Sequence, residues 1–182
     1  MRIRGENTRM QLEDIKDLFE YNDWANDILV DMLVAAFGEE LDLRTSAEPM
    51  VTEIQETTVH IFGALSIWRL RWLGTSLSTM LDPAPYPTPL SLRAAFHEEK
   101  REFWRFFNSL DSDERLNKVY IYTNTRGETY SQPLTPMMIH VVNHSSYHRG
   151  QVTAKLMALG HDELIESTDF AAWTILKMQS FR

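Results

Sequence analysis

The chain contains no cysteine. That absence excludes disulfides, thiolate metal sites and a cysteine nucleophile. Any metal ion must therefore be held by nitrogen and oxygen, and any thiol that takes part in chemistry must come from outside the chain. Positive charge is also scarce: 18 Lys and Arg stand against 26 Asp and Glu, for a net charge of −8 at pH 7. Such a balance does not supply the basic face that nucleic acids or anionic membrane surfaces require, so neither is an expected partner. No stretch approaches the roughly 20 apolar residues of a membrane span. Residues 1–9 carry basic side chains with no apolar segment behind them, unlike a secretory leader. The expected location is cytoplasmic.

What is present is helical periodicity. A length of 182 residues suits one domain with a sizeable core, expected over residues 11–182 after a loose tail at 1–10. Leu12, Ile15, Leu18, Phe19, Ala25, Ile28, Leu29, Met32 and Leu33 recur at three- and four-residue steps, predicting a helix over residues 12–37 that stops at Gly38. A second is expected over 51–73, with Ile54, Ile61, Leu65, Trp68 and Trp72 on one side and Gly74 as its stop. Pro83, Pro85, Pro87 and Pro89 then mark an extended connection, long enough for the second and third helices to run parallel. The third helix is expected to be capped by Ser91 and to carry Phe96, Phe103, Phe106 and Phe107, with residues 98–102 as a solvated charged face. Residues 119–124 and 128–130, around Arg126-Gly127, have the pattern of a short hairpin. Thr135-Pro136 should open the fourth helix, which ends before Gly160, and a short last helix is expected over 168–178. This is an all-α pattern, a four-helix bundle with a long crossover between helices two and three and a possible hairpin before helix four.

His140, His144 and His148 account for half of the six histidines and fall four residues apart. An i, i+4 pair projects both imidazoles from one face of a helix, and together they can grip one first-row metal ion if a third ligand arrives from another element. His144 and His148 share a stripe with Val141, Val152 and Leu156, where two neutral rings would otherwise need separate partners. His60 on the second helix is the candidate third ligand. Its small neighbours Gly63 and Ala64 either leave room for an ion and a small ligand or allow close helix packing. Each i+4 step drifts about 40° around a helix, so the three histidines of the run cannot all face one ion, and spacing alone leaves the pair open. Ser145 replaces the glutamate of a His-Glu-x-x-His zinc site. Glu56, one turn before His60, is either a fourth ligand or base, or an exposed helix carboxylate. His97 and His161 are expected in solvent.

The run from His140 to Gln151, His-Val-Val-Asn-His-Ser-Ser-Tyr-His-Arg-Gly-Gln, resembles the signature helix of the DinB family, the DinB/YfiT-like metalloenzymes. Tyr21-Asn22-Asp23-Trp24-Ala25-Asn26 agrees, as does Thr58-Val59-His60-Ile61 with Trp68, Arg71, Trp72 and Gly74; the three matches fall in family order and cover nearly all of the chain from Leu12. The resemblance implies a four-helix bundle, frequently a homodimer, with a divalent ion held by His60, His144 and His148 and with His140 outside the ligand set. Zinc, nickel, iron and manganese would all be candidates. The implied activity is metal-dependent transfer of a low-molecular-weight thiol, such as bacillithiol, to a small electrophile. The alternatives are a hydrolase using metal-activated water and a non-enzymatic metal- or ligand-binding stress protein. Trp24, Trp68, Trp72, Trp104 and Trp173 offer more indole surface than one core of this size hides, which adds to the expectation of a homodimer.

Overall fold

Five helices form where the periodicity predicts them, and their starts are set by capping chemistry. In this computed structural model, described over residues 10–180, they are α1 (Leu12–Phe37), α2 (Pro49–Trp72), α3 (Pro89–Phe107), α4 (Leu134–Ala158) and α5 (Phe170–Ser180). Strands β1 (Val119–Thr123) and β2 (Thr129–Pro133) pair antiparallel, with Ile121 opposite Ser131. Of the expected N-terminal tail only Met10 lies within the described residues, and it packs against the core. No described helix is long and apolar enough to cross a membrane.

Four helix starts differ from expectation: α5 begins late, at Phe170, α4 begins early, at Leu134, and α2 and α3 begin early because proline, a breaker inside a helix, is accommodated in its first turn. Pro49 and Pro89 each occupy the first turn of a helix, where the missing N–H costs nothing. Thr88, rather than Ser91, caps α3: its Oγ1 accepts the Ser91 N–H at 3.1 Å, and Ser91 Oγ accepts the Thr88 N–H at 2.9 Å. Thr135 does not cap α4. Strand β2 runs straight into that helix at Pro133, and the Thr135 hydroxyl donates to the Leu116 carbonyl at 3.0 Å. The hairpin turn is held by Asn124, whose Oδ1 accepts the N–H groups of Arg126 and Glu128 at 2.8 and 3.0 Å. Gly127 beside it has φ 83°, a conformation that favours glycine.

Side-chain pairs fix the helix directions. Phe62 meets Phe96, Arg69 meets Glu99 and Trp72 meets Phe106, so α2 and α3 run parallel, as the long connection allows. Phe19 stacks on Phe103 at 4.0 Å while Asp31 pairs with Arg93, so α1 runs opposite to α3. On α2, His60 meets His144 and Trp68 meets His140, which makes α2 and α4 antiparallel. The apolar interior forms two clusters, one around Phe19, Trp72, Phe103, Leu134 and Met138, the other around Leu29, Leu33, Ile54, Phe96 and Leu156. Between them lies a layer of buried polar groups, which includes Asn22, Asn26, Ser145 and Arg149. The short α5 lies along α1, with Phe170 and Trp173 against Tyr21.

The charged face expected on α3 is not wholly solvated. Glu99 falls on the row of Leu92, Phe96, Phe103 and Phe106 and is buried with them, where both its oxygens accept from Arg69 at 2.5 and 2.9 Å. Removing one partner of such a pair leaves an uncompensated charge, at a cost of about 3–5 kcal/mol. Glu99→Ala should therefore destabilise the protein by several kcal/mol in urea unfolding, whereas Glu98→Ala, on the exposed side, should change stability by less than about 0.5 kcal/mol.

Asp23, between α1 and α3, accepts the Trp104 indole N–H at 2.7 Å. Burial raises its pKa from 3.8 to about 6, opposed by the Trp104 hydrogen bond and the Lys100 charge. The folded state therefore holds this proton more tightly than the unfolded state, and stability falls as pH rises from about 4 to 6. The shift corresponds to roughly 3 kcal/mol, present as a penalty above pH 6 and absent below the unfolded pKa. Asp23→Asn retains an acceptor for Trp104. It should raise unfolding stability at pH 8 and leave it nearly unchanged at pH 3.5, as measured by paired denaturation curves.

Candidate metal centre

The antiparallel contact of α2 with α4 brings His60 against the histidine run. Farther along, Lys155 and Glu53 close the same interface with an ion pair at 3.2 Å. His60 Nε2 lies 3.0 Å from His144 Nε2. The ring centroids are 4.8 Å apart for His60 and His144, 4.6 Å for His60 and His148, and 4.4 Å for His144 and His148. One ring nitrogen from each lies within 4.8 Å of the other two, and no carboxylate joins this group among the described residues. All three side chains are half-buried, so the cluster is reachable from one side.

The electrostatics suit ligation. Burial first, and then the neighbouring His148, lower the His60 pKa below its ordinary value. Burial, followed by His148, His60 and His140, pushes His144 from 6.5 down to about 3. Both imidazoles are thus neutral at pH 7, and each offers a lone pair. Facing lone pairs repel unless a proton or a cation sits between them, and the nitrogens are close enough to share one ion after small ring rotations. His148 is also oriented from behind: its Nδ1 lies 2.7 Å from Gln151 Oε1, which leaves Nε2 for the cluster. His144 Nδ1 is buried with no partner among the described residues, so that ring is oriented by packing and by the contact of its Nε2 with His60. The chemistry of this donor set fits a first-row divalent ion, and a three-histidine cluster of this kind can hold one.

The structure thus brings together His60, His144 and His148, the three residues that the resemblance implies. His140 stands outside the group, 5.6 Å from His144 between ring centroids and 5.3 Å from Trp68, and is exposed. Glu56 is exposed and takes no part in the cluster. His97 is exposed as expected and lies 3.7 Å from Asp27, whereas His161 is half-buried with its edge against Phe37. Gly63 turns out to make room for neither a ligand nor a helix. A β-carbon there would lie 3.1 Å from the Leu81 β-carbon, so the crossover segment occupies that space.

The stripe on α4 was also misjudged from sequence. Its most buried residues are Met138, Val141, Ser145, Arg149, Val152 and Leu156, and the two histidines lie on its margin toward α2. The missed residue is Arg149, which is only 2% exposed. Its guanidinium donates to Asn22 Oδ1 and Asn26 Oδ1 at 2.9 Å each, to Ser146 Oγ at 2.8 Å and to the Tyr21 hydroxyl at 3.2 Å. An arginine next to His148 gives no sign of burial by itself. The signal was the Asn22, Asn26 pair at i, i+4 on α1, two acceptors on one helix face.

The chain is similar to Protein DinB of Bacillus subtilis (strain 168), with 26% identity over 148 residues that cover 79% of this chain and 85% of the relative. The profile of the DinB family matches residues 8–178, a span that contains both helices of the histidine cluster and the Asn22, Asn26 and Arg149 layer between the two apolar clusters. The chain belongs to the DinB family.

Proposed function

We propose that the protein is a metal-dependent enzyme that transfers a low-molecular-weight thiol to a small electrophile, built on a four-helix bundle of α1–α4. The observation that carries this reading is the set of three half-buried imidazoles with no carboxylate among them. His60, His144 and His148 would hold the ion through one ring nitrogen each, leaving a position free for an exogenous ligand. When bound, a divalent ion supplies Lewis acidity that favours the thiolate form of a thiol at neutral pH. A chain without cysteine cannot provide that thiol itself, so it must be a co-substrate.

The residues divide the remaining work. Gln151 fixes the tautomer and direction of His148. Arg149, tied to α1, fixes the backbone of the helix turn that carries it. Hydrolysis is the weaker alternative, because Glu56 faces solvent and no other carboxylate among the described residues joins the cluster to act as a base. A non-enzymatic metal store is disfavoured by the missing fourth protein ligand. Ile175, Leu176 and Met178 of α5 are each more than half exposed, and with half-buried Trp24, Trp68 and Trp104 they support a homodimer. We place the enzyme in the cytoplasm, where small thiols are kept reduced.

Purified protein, loaded with zinc, nickel, iron or manganese in turn, should conjugate at least one small thiol from a panel to a generic electrophile such as monobromobimane. It should do so faster than the chelator-treated protein. Release of product without thiol consumption would instead favour the hydrolase. In the same samples, His148→Ala should lose most of the bound ion, as read by elemental analysis. His140→Ala should keep it, and Gln151→Ala should weaken binding by about 10-fold or more. Equal loss from the two histidine variants would overturn the ligand assignment.

A further inference from the structure

Arg71 of α2 is 7% exposed, yet its guanidinium has no ion pair and no hydrogen bond among the described residues, and its Nε is fully buried without a partner. The comparison within the chain is direct. Arg69, two residues earlier, is held by both oxygens of Glu99, and the terminal nitrogens of Arg149 have four oxygen acceptors, although its Nε, like that of Arg71, has none. Burying a cation without acceptors is costly, and a helical protein with an acidic excess has carboxylates to spare. What surrounds Arg71 instead is aromatic: its Cζ lies 4.5 Å from the Trp68 ring centroid and 5.0 Å from that of Tyr122 on β1. Rings in those positions stabilise the cation through their π faces but accept none of its N–H groups as a carboxylate would.

Placement gives that guanidinium a purpose. Arg71 follows His60 by 11 residues (71 − 60), close to three full helical turns, so both lie on the α2 face that meets α4. Helical side chains lean toward the N-terminus, which turns Arg71 back toward the cluster. Rings mark the way between them: Trp68 meets His140 at 5.3 Å, and His140 meets His144 at 5.6 Å. The axial separation of the two residues, about 16 Å at 1.5 Å per residue, is shortened by the reach of the Arg71 side chain. A molecule of several bonds' length, anchored at the histidines, would bring its far end to Arg71.

We infer that Arg71 is a carboxylate-binding residue, the subsite that receives the anionic end of the small molecule whose other end sits at the three-histidine cluster. The planar fork of the guanidinium matches a carboxylate in two parallel hydrogen bonds. One carboxylate brings a single negative charge to the single positive one, and a second carboxylate on the same molecule can stay in water, whereas a phosphate dianion sets both its charges on one group and would remain half-neutralised at the fork. The role as one end of a thiol site rests on the thiol reading above; the capture of a carboxylate does not.

The test is therefore made first without metal. Chelator-treated protein is titrated with succinate at fixed ionic strength, with chloride and inorganic phosphate as parallel titrants, by calorimetry and by tryptophan fluorescence. Trp68 beneath the guanidinium makes the fluorescence a local report. Succinate should bind saturably. Arg71→Lys, which keeps the charge and loses the fork, should weaken it at least 10-fold, and Arg71→Met should abolish it. Glu98→Ala, on the exposed side of α3, should leave it unchanged. A thermal melt of each variant separates lost binding from lost folding, with the Lys variant deciding the matter if the Met variant does not fold. Absence of saturable succinate binding up to about 50 mM, equal binding by folded wild type and Arg71→Lys, or tighter binding of phosphate than succinate would each overturn the proposal. In metal-loaded protein, glutathione serves as a generic carboxylated thiol and should bind at least 10-fold tighter than its diester, a preference that Arg71→Met removes. If succinate binding holds but this preference is absent, the link to the thiol site fails and the carboxylate subsite stands.

Discussion

Midway along α4 the apolar stripe is interrupted by an arginine that the fold must satisfy. Arg149 cannot be buried unless its N–H groups find acceptors, and the acceptors stand on another helix: Asn22, Asn26 and the Tyr21 hydroxyl of α1. Each donor left unpaired would cost about 1–3 kcal/mol, so the network is demanding in geometry. It fixes the rotation and height of α4 against α1 and divides the interior into two apolar clusters. On α4 that height places His144 and His148 toward α2, opposite His60. The polar layer is thus both the break in the core and the reference level of the three-histidine cluster.

The two sides of α4 have opposite requirements. Toward α1 the terminal nitrogens of the Arg149 guanidinium are met by neutral oxygens. Toward α2 the ring nitrogens face one another and remain open. Burial keeps His60 and His144 uncharged, which preserves their lone pairs for a ligand. The same α2 helix carries an arginine treated in the opposite way, with aromatic rings around Arg71 and no acceptor. An open nitrogen cluster at one end and a cation without an acceptor among the described residues at the other are the two features on which the proposed site, for a molecule with a metal-seeking head and an anionic tail, rests.

Much of this was legible in the sequence because it rests on periodicity. The helices follow from apolar residues at three- and four-residue steps, and the parallel course of α2 and α3 follows from the length of the crossover. The cluster was visible because His144, His148 and His60 are rare residues at telling positions, although spacing alone could not choose against His140. What escaped was the burial of charge. Glu99 and Arg149 are hidden only because Arg69 and the two asparagines meet them from other helices, and no local pattern records a partner on another element. Proline misled for a related reason: its cost depends on whether it falls inside a helix or at its first turn, a boundary that Thr88 decides.

A three-imidazole site open to a thiol would be visible by X-ray absorption on the zinc-loaded protein before and after a small thiol is added. Three nitrogen scatterers of imidazole type are expected at about 2.0–2.1 Å, with an oxygen of solvent replaced by one sulfur at about 2.3 Å when the thiol binds. Because the chain has no cysteine, that sulfur can come only from the added thiol. A shell with fewer than three imidazoles, or one that the thiol leaves unchanged, would contradict it.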